Sequence, residues 1–180
     1  MKINIIVACC SNNGIGFQNS IPWFIKNDLK YFSKITKGNK NNAIIMGRKT
    51  WDSLPRKPLP QRQNIVLTRS VDTDKQIREK YSKNTCCYQS PQQALEFCKA
   101  GLFDEIWVIG GTTIYEHFYQ EYNDQINKIY ITKVHKEYEC DAFFPTISDD
   151  FKVTSCETKE ETDENTKQEI TVEYKILERT

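Results

Sequence analysis

Five short runs rich in isoleucine and valine recur along the chain, at residues 3–10, 43–46, 64–68, 105–109 and 128–132, with helix-like stretches between them. Runs that are apolar on both faces belong to strands covered on both sides, because a half-exposed strand would alternate apolar and polar residues. Residues 28–35, 49–54, 91–99 and 113–122 read as the helices. Asn27 is expected to cap the first of these, and Ser90 followed by Pro91 supplies a cap and a first-turn proline for the third. This alternation predicts an α/β fold with a mainly parallel central sheet flanked by helices. The end of the chain departs from the pattern. Residues 151–158 and 170–178 flank the polar run 159–169, which predicts an antiparallel hairpin at the sheet edge, joined by a solvated acidic connection.

The length of 180 residues is that of one domain, since domains average roughly 150 residues, so a single unit spanning 1–180 is expected. The formal net charge of +1 provides no overall field to attract nucleic acid or an acidic membrane. Any bound anion must therefore be held by local groups. No apolar run is long enough to span a bilayer and no leader pattern is seen, so a cytoplasmic protein is expected. The seven cysteines are odd in number and form no C-x-x-C pair, which suits reduced, mostly packed thiols. His117 and His135 lie near neither a nucleophile elbow nor a finger-like cysteine pair, so neither triad catalysis nor a metal site is expected.

Two places share one design, in which an apolar run ends in glycine and a helix begins: Met46-Gly47-Arg48-Lys49-Thr50 and Ile109-Gly110-Gly111-Thr112-Thr113. Glycine there lets a ligand approach the backbone, and the helix start favours an anion. Two such ends suit a pyrophosphate, with Arg48, Lys49 and the Thr50 hydroxyl adding donors. Arg69 follows the run 64–68, on the rim where open parallel sheets bind ligands, and suits a further phosphate such as the ribose phosphate of NADP. The G-x-G-x-x-G fingerprint is absent. A third constellation, Asp28 with Phe32, places a carboxylate and an aromatic ring one helical turn apart. That pair suits a flat heterocycle, stacked on the ring and hydrogen-bonded through an amino group and a ring N–H.

Taken in order, these segments resemble the dihydrofolate reductase family along nearly the whole chain. The resemblance rests on Ile6-Val7-Ala8, Gly14-Ile15-Gly16, Ile21-Pro22-Trp23, Asp28 with Phe32, and Ile45-Met46-Gly47-Arg48-Lys49-Thr50-Trp51. It continues through Pro58-Leu59-Pro60, Arg62-Gln63-Asn64, Ile109-Gly110-Gly111 with Ile114-Tyr115, Tyr130-Ile131-Thr132, Asp141-Ala142-Phe143-Phe144-Pro145 and Tyr174-Lys175-Ile176-Leu177-Glu178.

The resemblance implies NADPH-dependent reduction of dihydrofolate to tetrahydrofolate by a monomer that also takes folate-analogue inhibitors. It implies that Asp28 anchors the pterin with Thr132 behind it, and that these two are the catalytic residues. Ile6, Ala8, Ile21, Phe32, Leu54 and Ile109 would line the substrate pocket, and Arg62 would pair with the substrate carboxylate. Gly47, Arg48, Lys49, Thr50, Thr68, Arg69, Ile109, Thr112, Thr113 and Tyr115 would hold the cofactor, together with Ala8, Ile15, Gly16 and a cis peptide at Gly110-Gly111. Residues 12–23 would form a mobile lid, with Gly14 and Gly16 supplying its flexibility. Gln61 stands where many relatives carry glycine. Two other readings stay open at this point: a pyrimidine reductase of the same fold, and a silent pteridine- or nucleotide-binding module.

Overall fold

A computed structural model describes all 180 residues. The first half runs β1 (Lys2–Cys9), β2 (Gly14–Gly16), α1 (Lys26–Lys37), β3 (Ala43–Gly47), α2 (Arg48–Ser53), β4 (Gln63–Leu67), α3 (Val71–Tyr81) and β5 (Thr85–Tyr88). The second half runs α4 (Pro91–Ala100), β6 (Glu105–Val108), α5 (Thr112–Glu121), β7 (Ile126–Val134), β8 (Ala142–Phe143), β9 (Phe151–Asp163) and β10 (Gln168–Arg179). Eight strands form one sheet in the order β5-β4-β3-β6-β1-β7-β10-β9. From β5 to β7 every pairing is parallel, and β10 then pairs antiparallel with both β7 and β9. The expected α/β architecture and edge hairpin are both present.

The apolar runs are buried as their composition requires: Ile5, Ile44, Ile45, Ile65, Ile106 and Val108 are inaccessible to solvent. Side chains of β1 alternate across the sheet, with Ile3, Ile5 and Val7 in one core and Ile6 in the other. Ser90 caps α4 as expected, its hydroxyl accepting a hydrogen bond from the Gln93 amide, with Pro91 opening the helix.

Three expectations are corrected. The cap of α1 is Ile25, which makes no side-chain bond; Asn27 lies inside the first turn, where its amide donates to Glu161 at 2.8 Å. The acidic run is not a solvated connection. The two strands extend through it, leaving only residues 164–167 as the turn, and Glu161 and Asp163 are buried. The third concerns α3 and β5, which add a helix and an outer strand where no element was anticipated.

Several contacts hold the first part of the segment expected to be a lid. Strand β2 pairs with β8, the Gly14 amide donates to the Asn12 side chain at 3.0 Å, and the Gln18 amide donates to Asp141 at 3.0 Å. Gly14 also meets a close approach, since a Cβ there would stand 2.3 Å from the Cys140 sulfur. Gly14→Ala should therefore destabilise the fold by about 1–3 kcal/mol, the cost of overpacking. A denaturant midpoint equal to that of the wild type would contradict this account of Gly14.

Candidate active site

The candidate site lies toward the carboxyl ends of the central strands, where β1 lies between β6 and β7 and open α/β sheets characteristically bind ligands. Asp28 enters it from the first turn of α1, and Thr132 from β7, whose position is set by its pairing with Ala8 of β1. The Thr132 hydroxyl donates to Asp28 Oδ1 at 2.7 Å. Burial pushes the Asp28 carboxyl up to about 6, an effect that the Thr132 hydrogen bond opposes and the charge of Glu161 reinforces. A carboxyl group so placed changes its protonation near neutral pH, as acid–base work requires.

Apolar walls surround it. Ile6 and Ile109 are buried in one cluster, against which Phe32 packs from α1 and Leu54 from just beyond α2. Ala8 belongs to a neighbouring cluster with Trp23, Ile25 and Tyr31, and Ile21 stands at the outer rim, 55% exposed.

Arg62 is buried, although arginine is rarely so without an acidic partner. It donates from Nε to the Pro60 carbonyl at 3.0 Å and from Nη1 to the Thr36 hydroxyl at 2.7 Å, and its guanidinium lies 5.9 Å from the centre of the Phe32 ring. No carboxylate of the chain pairs with it, and burial lowers its pKa to about 10. A buried cation lacking a protein counter-charge suits a ligand carboxylate. Gln61, just before it, holds a left-handed backbone with φ of 60°, a conformation that favours glycine.

Beyond Asp28, β3 and β6 each run into a helix. Gly47 ends β3, its amide donating to the Gly110 carbonyl at 2.8 Å, so the two glycine junctions lie side by side. Gly110-Gly111 is a cis peptide, and a Cβ on Gly110 would stand 2.8 Å from the Tyr115 ring. The Tyr115 hydroxyl is already committed, donating to the Ile6 carbonyl at 2.7 Å. Thr112, opening α5, carries a buried hydroxyl with no partner, while Thr50 is half-buried and Thr113 exposed. Arg48 is exposed and paired with Asp52 at 2.8 Å. Lys49 is exposed, as is Arg69, and Thr68 Oγ1 accepts from the Ser70 amide just before α3. Ile15 and Gly16, on β2, are half-buried.

Residues 2–179 match the family model described as dihydrofolate reductase. The dihydrofolate reductase of Aedes albopictus is 38% identical over 99% of this chain and 97% of its own length. That of Bacillus subtilis is 39% identical over 88% of this chain and 86% of its own. The chain belongs to the dihydrofolate reductase family. As a family member it is an oxidoreductase of folate metabolism, reducing dihydrofolate to tetrahydrofolate with a nicotinamide cofactor.

Within this reductase two site-forming residues escape a reading of the sequence. Thr36 is buried one turn beyond Phe32, donating to the Phe32 carbonyl at 2.8 Å while accepting from Arg62. Its place on the Asp28–Phe32 face is the signal that could have found it. Glu161 is buried beside α1, accepting from Asn27 and from the Tyr174 hydroxyl. The i, i+2 spacing of Glu161 and Asp163 on one face of a strand was its only mark.

Proposed function

We propose that this reductase uses NADPH, with Asp28 and Thr132 as its catalytic pair and Arg62 as its anchor for the substrate carboxylate. The observation that carries the reading is the Thr132–Asp28 hydrogen bond at 2.7 Å, set among apolar walls. A half-buried carboxyl group that changes its protonation near neutral pH both recognises a pterin and influences its protonation.

The residues present fit the dinucleotide. Thr112 offers a buried hydroxyl without a partner, and Gly47, Gly110 and Gly111 leave backbone rather than side chains facing the junction. Lys49, Thr50 and the start of α5 would receive the pyrophosphate, and Thr68 with Arg69 the ribose phosphate. When bound, the cofactor supplies the hydride that reduces the pterin carbon. Asp28 hydrogen-bonds the pterin amino group and ring nitrogen, its carboxyl sharing a proton with the pterin, and Thr132 fixes the orientation of that carboxyl. Phe32 and Ile109 exclude water, and a proton reaches the neighbouring pterin nitrogen under the control of Asp28.

Preference for the phosphorylated cofactor is tested at Arg69. Arg69→Ala should weaken NADPH binding by about 10-fold or more, as for a lost charge-assisted hydrogen bond, and leave NADH affinity within about 2-fold. Fluorescence titration with both cofactors decides it, and equal losses would show that Arg69 does not read the phosphate.

A further inference from the structure

The hairpin joining β9 to β10 grips the chain on either side of Phe24. The Phe24 amide donates to Asp163 Oδ1 at 3.1 Å, the Glu164 amide donates to the Phe24 carbonyl at 2.8 Å, and Lys26 pairs with Glu164 at 3.0 Å. Asp163 is fully buried. Burial would push its carboxyl up, but the Phe24 and Asn165 amides and the Tyr138 hydroxyl outweigh this and hold it below the usual range. The next contact reaches the active-site helix itself. Glu161, 6% exposed, accepts from the side chain of Asn27, the residue preceding Asp28, at 2.8 Å and from the Tyr174 hydroxyl at 3.3 Å. Tyr174 sits directly opposite Thr132 in the β7–β10 ladder, so both halves of the Asp28–Thr132 pair are backed by groups that touch Glu161.

We infer that Glu161 is a positioning residue for Asp28, which it holds through Asn27 while placing a second carboxylate behind the Asp28–Thr132 pair. The inference rests on the role assigned to Asp28. A negative charge behind a half-buried carboxyl opposes its ionisation, so Glu161 favours the protonated form of Asp28 and extends its working range toward higher pH. The other groups around them are Tyr31 from α1, Tyr130 and Thr132 from β7, Tyr174 from β10, and Glu157 and Lys159 from β9. The cation there, Lys159, pairs with Glu157 and lies over the Tyr174 ring; no ion pair neutralises Glu161.

Glu161→Gln keeps an acceptor for Asn27 and removes the charge; Glu161→Leu removes both. Single-turnover hydride transfer is measured against pH in both variants, in the wild type and in Asp28→Asn, with melting curves as a check on folding. In Glu161→Gln the pH above which the rate declines should fall by about 0.5–1 unit, lowering the rate at pH 7.5 by about 3–10-fold, with KM for dihydrofolate within about 2-fold of wild type. Glu161→Leu should add a rise in KM of about 5-fold or more from the loosened helix turn. If Glu161→Gln keeps the wild-type profile, or moves it upward, while Asp28→Asn changes it, Glu161 does not act on Asp28 and the inference is overturned. A wild-type profile in Asp28→Asn would instead remove the assigned role of Asp28 itself.

Discussion

Asp28→Asn should reduce dihydrofolate about 10²–10⁴-fold more slowly at pH 7, the usual contribution of a positioned acid–base group, and should alter the pH profile as well as the rate. Asparagine is nearly isosteric and can still accept from Thr132, so the pocket is preserved and the loss is chemical. The sign of the pH effect follows from the raised carboxyl. Asp28, pushed up to about 6, is mostly protonated below that pH and ionised above it. In the wild type, hydride transfer should therefore level off below pH 6 and fall above it, approaching 10-fold per unit as each step removes the protonated form. In the variant the Asp28 carboxyl is gone and protons must come from solution, so the residual rate should keep rising as the solution is made more acidic. A plateau retained near pH 6 in Asp28→Asn would assign that titration to some other group.

The second large effect belongs to Arg62. Arg62→Lys should raise KM for dihydrofolate by about 10–100-fold, since a charge-assisted bond contributes roughly 1.5–3 kcal/mol and lysine lacks the planar fork that grips a carboxylate at two points. The turnover rate should change by only about 2–3-fold, because this contact is the same in ground and transition states. A pteridine substrate without the carboxylate tail separates this from general damage. It should be reduced equally well by both proteins; if it suffers the same loss, Arg62 is holding the fold through Thr36 and Pro60 rather than binding substrate.

The legible parts of this molecule are those in which local chemistry and tertiary setting agree. Residues such as Ile44, Ile45 and Ile65 are β-branched and fully buried, so composition alone marks their strands. Helix α3 gives no such signal. Val71 is 76% exposed and only Ile77 is buried, so no apolar stripe marks it. The Ser70 cap and the Arg78–Asp74 pair at 2.7 Å support it instead, local devices that contribute little to periodicity. The acidic hairpin misleads for the opposite reason. Glutamate and aspartate favour water unless partnered, and the partners of Glu161 and Asp163 lie more than 130 residues earlier in the chain, at Asn27 and Phe24. In the site, Asp28 and Phe32 are visible as residues, whereas Arg62 and the pairing of Thr132 with Asp28 across 104 residues are reached only through the family resemblance, because no local pattern links residues that the sheet alone brings together. Gln61 is a smaller case: its φ of 60° shows that the turn before Arg62 can form without glycine, at a strain of about 1 kcal/mol or more.

The position of β10 has a consequence for how the enzyme is made. It is the last strand of the domain to leave the ribosome, yet it lies inside the sheet, between β7 and β9. Without it, β7 lacks its antiparallel neighbour and β9 has nothing to pair with, so the grip of β9 on Phe24 and Asn27 has no support. Competence to bind a pterin should thus arrive late and abruptly during synthesis, when the final strand enters the gap and draws the first turn of α1 into place.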